Sequence, residues 1–362
     1  MPERIYNFSA GPSMLPLPVL KKAQAEFVNY ADSGMSLFEM SHRGKIYDAV
    51  HNDAVRLTHE VYGIPTDTHQ ILFIQGGATL QFAMIPMSFL GQGKFAEYVT
   101  TGTWSQKALK DAQLIGDARE IATGKAENFM AIPKKFTVNP SAEYLHITTN
   151  NTIKGTEWHK LPDAGKVPIF ADMSSDFLSR RVDWAKIGLA YGGVQKNLAP
   201  AGMALVIIRK DVLAKASQTV PAYLRYDLHA GENSLYNTPP VFPIYMMKLV
   251  LEWVKEVGGL EQMDKWAQQR SDLLYNAIDA SGGYYKGPCA KEDRSRMNIC
   301  WRLPTEELEA KFIAEASKKQ LSGLKGHRSV GGCRASVYNA MPIEGVQALV
   351  KFMEEFKKAN PA

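Results

Sequence analysis

Cysteine is scarce in this chain: Cys289, Cys300 and Cys333 are the only three among 362 residues. None stands in a Cys-x-x-Cys pair and no histidine completes a zinc-type spacing. A disulfide framework and a structural zinc are therefore not expected, and the three read as small buried apolar residues of a reducing compartment. Charge of one sign is also missing in bulk. Lys and Arg number 42 against 37 Asp and Glu, a net of +5, without a basic block or a basic stripe interleaved with aromatics, which argues against nucleic acid or an anionic membrane as the main partner. No apolar run approaches membrane length, and MPERIYNFSAGPSMLP lacks the apolar core of a secretion signal, so the expected location is the cytoplasm. Nucleotide fingerprints are absent too. The Gly-Lys-Ser/Thr ending of a P-loop is missing, and Gly91-Gln92-Gly93 follows a helical pattern rather than a strand, which leaves a nicotinamide-dependent oxidoreductase as the weakest of the enzyme readings. There is no internal repeat and no low-complexity segment.

What remains is an ordinary globular composition, 45% apolar and 22% charged, long enough for one large domain and a smaller one. Residues 1–16, with three prolines and a Gly-Pro turn, read as an extended arm that packs on something else. Helical periodicity is expected from Pro18 to about Ala31 and from Tyr47 to Tyr62. Strand and helix patterns then alternate through QILFIQ, AEYVTT, REIAT, YLHITTN, VPIFAD, IGLAYGG and MALVIIR. That alternation predicts an α/β fold with a mostly parallel sheet covered by helices, its site at the strand ends. Residues 211–240 read as a long polar excursion rather than a core element. Helices follow over about 242–257 and 260–280, with the domain change near Gly258-Gly259. MNICWRL, a helix over about 305–320, GCRASVYN and a helix from Pro342 make a small C-terminal α+β domain. The expected division is an arm (1–16), a large domain (17–258) and a small domain (259–362).

The chemistry centres on IGLAYGGVQKNLAPAGMALVIIR, where two apolar strands flank a loop carrying Lys196. Lysine alone is usually a solvated surface charge. Twenty-four residues upstream, however, the strand of VPIFAD ends in Asp172. Asp172 alone reads best as a loop-opening residue, with Ser174 and Ser175 making turn bonds. Together the two fit pyridoxal phosphate chemistry. A lysine amine condenses with a carbonyl cofactor only while part of it is unprotonated, and a buried carboxylate keeps the cofactor's ring nitrogen protonated. Gly76-Gly77-Ala78-Thr79, between a strand and a helix, would leave free N–H groups for a phosphate. Trp104, after the next strand, is either a core aromatic or a flat surface for a ring, and Thr152 could donate its hydroxyl to a ring oxygen or a phosphate. His42-Arg43 is either a solvated turn or an anion clamp. His327, Arg328 and Arg334 lie in one short span beside a glycine pair, as an anion site or as an edge strand with a protective charge.

NFSAGPSMLP, SHRGK, the GGAT turn, TGTWS, ADMSS, GGVQKNLAPAG, YNTPP, RSRMN and LKGHRSVGGCRASVYNAMP resemble the phosphoserine aminotransferase family, among the class V, fold type I pyridoxal phosphate enzymes, from end to end. The resemblance implies a large domain with a seven-stranded sheet, a small C-terminal domain, and a homodimer with its sites at the subunit interface. It implies reversible amino transfer from O-phospho-L-serine to 2-oxoglutarate in serine biosynthesis, with the 4-phosphooxy-threonine pair of vitamin B6 synthesis as a further reaction in some members. Lys196 then resembles the cofactor-binding lysine and Asp172 the partner of the ring nitrogen. Trp104 would stack on the ring and Thr152 bond to it. Gly77, Ala78 and Gln195 would line the cofactor and its phosphate, and Asn237 and Thr238 would reach the other subunit's phosphate. Arg334 would clamp the α-carboxylate, while His42, Arg43, His327 and Arg328 would hold the distal group. Some members carry arginine at the position of Ala78, so this chain would recognise phosphate with fewer cations. A transaminase acting on alanine or serine would share Lys196 and Asp172 without needing those extra cations. A cysteine desulfurase is disfavoured because no cysteine sits in a reactive glycine-rich loop.

Overall fold

The computed structural model describes residues 4–361. In chain order, a short strand β1 (Tyr6–Asn7) precedes helices α1 (Leu17–Glu26) and α2 (Lys45–Tyr62). Then follow β2 (His69–Gln75), α3 (Gly77–Phe89), β3 (Phe95–Thr100), α4 (Thr103–Ile115), β4 (Asp117–Thr123), β5 (Leu145–Thr148), β6 (Ile169–Asp172), β7 (Ile187–Gly193) and β8 (Met203–Arg209). After α5 (Lys210–Leu213) and α6 (Tyr226–Gly231) come α7 (Val241–Glu256) and α8 (Gly259–Asp279). The chain closes with β9 (Asn298–Trp301), α9 (Glu306–Lys318), β10 (Leu321–Ser322), β11 (Cys333–Ser336) and α10 (Ile343–Ala359).

The main sheet has seven strands in the order β2-β8-β7-β6-β5-β3-β4. Only β8 runs against its neighbours; the other pairings are parallel. Both faces are covered, which explains why these strands read as continuous apolar runs rather than as alternating ones. Along β2, Ile71 and Phe73 join a core beneath α7, while Leu72 and Ile74 join another with Phe82 and Met84 of α3 and Ala108 and Leu109 of α4. Because the six remaining strands run the same way, Gln75, Thr100, Thr148, Asp172 and Gly193 end at one rim of the sheet, and β8 begins there. That rim is where the candidate residues collect.

A separate apolar cluster joins Ile299, Trp301, Phe312, Ala335 and Phe352 around the two-stranded β9–β11 sheet. The arm belongs to this cluster. Tyr6 and Asn7 pair in parallel with Leu321 and Ser322, and Phe8 is fully buried.

Two expectations fail locally. The first helix ends at Glu26 rather than near Ala31: Phe27 and Val28 continue the helical spacing yet stand 51% and 78% exposed, and the contact of Phe27 with the Phe38 ring, 5.1 Å between centroids, is too little packing to hold another turn. The stretch 211–240 is not a mere excursion. Tyr226 of α6 is fully buried with its hydroxyl donating to Gln81 Oε1 at 2.6 Å, and Ser234 Oγ accepts from the Phe73 N–H at 2.9 Å. Of the cysteines, Cys300 and Cys333 are buried as expected, whereas Cys289 is only partly so. Among the described residues no helix is long and apolar enough to cross a membrane, and no His, Cys, Asp and Glu cluster forms a metal site.

Candidate active site

A cleft of about 420 Å³ opens at the strand ends, and Gly77, Ala78, Trp104, Thr152, Asp172, Gln195 and Lys196 all line it. Its volume falls in the range that holds a small organic cofactor. A slightly larger cavity, about 480 Å³, lies between the arm, Trp253, Trp266 and α10. That cavity has a buried Arg270 but no nucleophile, and Arg270 Nη1 is occupied by the Asn339 and Met341 carbonyls, so the smaller cleft carries the chemistry.

One wall of the cleft is the start of α3. Gly76 and Gly77 take φ of 92° and 62°, left-handed backbone that glycine adopts without strain. At Gly76 an added Cβ would also stand 2.8 Å from Leu80 Cδ2. No side chain caps this helix, so the first-turn N–H groups and the positive dipole end face the cleft.

At the floor, Ser174 donates to Asp172 Oδ1 twice, from its N–H at 3.0 Å and its hydroxyl at 2.6 Å. The expected turn bonds therefore exist, yet they occupy only one oxygen and leave Oδ2 for the cleft. Burial pushes the Asp172 carboxyl up, opposed by these bonds and by Lys196. Burial pushes the Lys196 amine down to about 8, opposed by Asp172 and assisted by the charge of Arg334. The lysine keeps part of its surface open to the cleft while its amine donates to Thr152 Oγ1 at 2.7 Å. An amine at about 8 is about one-tenth neutral at pH 7, on the order of a few hundred times more than an ordinary lysine.

Arg334 enters from β11 and donates from Nη1 to the Thr152 carbonyl at 3.1 Å, while its buried Nε has no partner. It also lines a second cavity of about 200 Å³ with His327 and Lys154. His327 is held below the usual imidazole range, by partial burial first and then by the charges of Arg334, Arg328 and Lys107. Arg328 stands exposed beside it. His42, Arg43 and Arg328 line neither of these two cavities, whereas His327 lines the second. Asn237 and Thr238 also stay outside: Asn237 Nδ2 donates to Gln75 Oε1 at 3.0 Å, and Gln75 Nε2 donates to the Thr238 carbonyl at 3.3 Å.

Sequence reasoning missed the arm's place in the cleft. Gly11 and Pro12 line it, the Ser13 N–H donates to the Gln195 carbonyl at 3.1 Å, and the Ser13 hydroxyl donates to the Lys196 carbonyl. Asn150 was missed as well; its Nδ2 donates to Ser175 Oγ at 2.8 Å and Asn298 Oδ1 at 2.7 Å, tying the cleft to β9. A compact Gly-Pro turn was the available signal for the arm, and the polar run after β5 was the signal for Asn150.

A mostly parallel sheet with a buried acid and a lysine of lowered basicity where its strands end defines a class, and residues 5–349 match the aminotransferase class-V family. The chain is 52% identical to a phosphoserine aminotransferase of Desulfosudis oleivorans, over 99% of this chain and 100% of that one. The solved phosphoserine aminotransferase of Bacillus circulans subsp. alkalophilus superposes with a TM-score of 0.96 at 52% identity, covering 98% of this chain and 99% of the other. A pyridoxal phosphate-bound phosphoserine aminotransferase from Trichomonas vaginalis gives 0.92 at 38% identity, covering 97% and 100%. The chain belongs to the class-V aminotransferases and, within them, to the phosphoserine aminotransferase family.

Proposed function

We propose that this chain moves an amino group reversibly between O-phospho-L-serine and 2-oxoglutarate, yielding 3-phosphooxypyruvate and L-glutamate, with pyridoxal 5'-phosphate as cofactor. The observation that carries the reading is the Lys196 amine, brought to about 8 beside the buried Asp172 at the floor of the cleft. The cleft residues fit the cofactor. The uncapped start of α3 suits its phosphate, the free Oδ2 of Asp172 suits its ring nitrogen, and the Trp104 indole suits its ring face. When bound, the cofactor supplies a carbonyl for the amino group and a ring that stores the electron pair released at the substrate's Cα.

The protein's own residues do the rest. Lys196 would hold the cofactor, and its amine, free while substrate is bound, would act as the base that takes the proton from Cα and delivers it to the cofactor's C4′ carbon. Asp172 holds a proton at the ring nitrogen, and Thr152 steadies the Lys196 amine. Arg334, with an unpartnered Nε, receives the α-carboxylate, while His327 and Arg328 face the distal phosphate or γ-carboxylate. Asn237, Thr238, His42 and Arg43, which do not line the cleft of their own chain, complete the site of a second copy in a homodimer. Residues 259–362 act with the arm as the small domain that brings Arg334 and His327 over the cleft. The test is turnover: glutamate should form from 2-oxoglutarate with O-phospho-L-serine and scarcely at all with L-serine or L-alanine. Equal turnover with L-alanine would replace this reading by a general transaminase.

A further inference from the structure

One cation beside the cleft has no role in the reading above. Lys107 stands on α4, three residues beyond Trp104, and its Nζ lies 4.7 Å from the centre of the Trp104 ring. That ring lines the cleft with Lys196. Lys107 is exposed, and its amine has turned to the indole rather than to Asp111 one turn on. Its charge is also felt at His327 together with those of Arg334 and Arg328. Lys107 on α4 and Arg328 and Arg334 around β11 thus act on the same imidazole, which places the Lys107 charge in one electrostatic field with them.

We propose that Lys107 is a specificity-determining residue, which leaves the Trp104 face to meet the phosphate of the bound substrate and favours it over a γ-carboxylate. The proposal rests on the substrate reading above. A cation over an exposed aromatic face is weakly held, and lysine carries its charge on a flexible stem, so the move costs little. Clustered cations repel one another until an anion arrives. The gain from one more cation then scales with the ligand's charge, and a phosphate monoester carries about −1.5 to −2 against −1 for a carboxylate. Ala78 places no charge nearby, so Lys107 is the extra cation that a phosphate requires and a carboxylate does not.

Calorimetric binding to the cofactor-loaded Lys196→Ala protein, which cannot turn over, tests this directly. Adding Lys107→Ala should weaken O-phospho-L-serine about tenfold, the low end for one hydrogen bond to a charged group, and L-glutamate less than about threefold. Lys107→Arg should restore most of the phosphoserine affinity. Equal weakening of both ligands, or no weakening of phosphoserine, overturns the role of Lys107. The parent Lys196→Ala protein separates the two levels. If it binds L-alanine as tightly as O-phospho-L-serine, the substrate reading itself falls; if it discriminates and the Lys107 substitution changes nothing, only Lys107 is misassigned.

Discussion

Asp172 at the end of β6 and Lys196 in the loop after β7 sit at the floor of the cleft, whereas Lys107, over the Trp104 ring at its rim, and Arg328, in the loop before β11, are exposed to solvent. At the floor, burial alters the charges themselves: the amine falls to about 8 and the carboxyl rises. At the rim, Lys107 and Arg328 are exposed and neither forms an ion pair among the described residues. The difference separates two tasks. Desolvation tunes the groups that move protons, and unpaired exposed charge selects what is bound.

The comparison breaks first if the floor does not carry the rate. Lys196→Ala should lose turnover by at least about 10²–10⁴-fold, the usual contribution of a positioned base, while still taking up cofactor noncovalently; single-turnover absorbance would follow both. Asp172→Asn keeps shape and removes the charge, and should cost on the order of 10²–10³-fold in kcat, as losses of a preorganised electrostatic partner do. A normal kcat would mean that Asp172 is only the turn residue its Ser174 bonds suggest. At the rim, His327→Ala should leave kcat nearly unchanged and raise KM for O-phospho-L-serine about tenfold, with a smaller rise for L-glutamate. Equal rises would give it a structural role.

Much of the floor was legible in the chain. Parallel strands finish at one rim, so a carboxylate and a lysine closing two neighbouring apolar runs had to approach each other. Less could be read where contact depends on distant packing. Gly11 and Pro12 enter the cleft because the arm is held by β10 and the β7–β8 loop, more than 180 residues away. Tyr226 is buried by a helix too short to leave a periodic signal. Phe27 and Val28 had the spacing of a buried face but stay exposed, Phe27 resting only on the Phe38 ring. Lys107 looked like any helix-surface lysine until the fold set it beside Trp104.

The smallest predicted effect is a shift in pH profile. Because Lys196 is lowered to about 8, its neutral fraction, and with it the rate at which cofactor-free protein captures pyridoxal phosphate, should rise with pH and level off above about 8. Arg334→Ala removes a positive neighbour and should move that rise to higher pH. Asp172→Asn removes a negative one and should move it lower. A rise centred near 10.4, the ordinary lysine value, would show that burial does not tune this amine.

The central claim, that one cleft joins a tuned lysine to a phosphate-selecting rim, is tested most directly by mixing the cofactor-loaded protein with single amino acids and following its visible absorbance. O-phospho-L-serine and L-glutamate should each discharge the band in one turnover, with L-serine and L-alanine leaving it nearly intact. Discharge by L-alanine as fast as by O-phospho-L-serine would contradict the account.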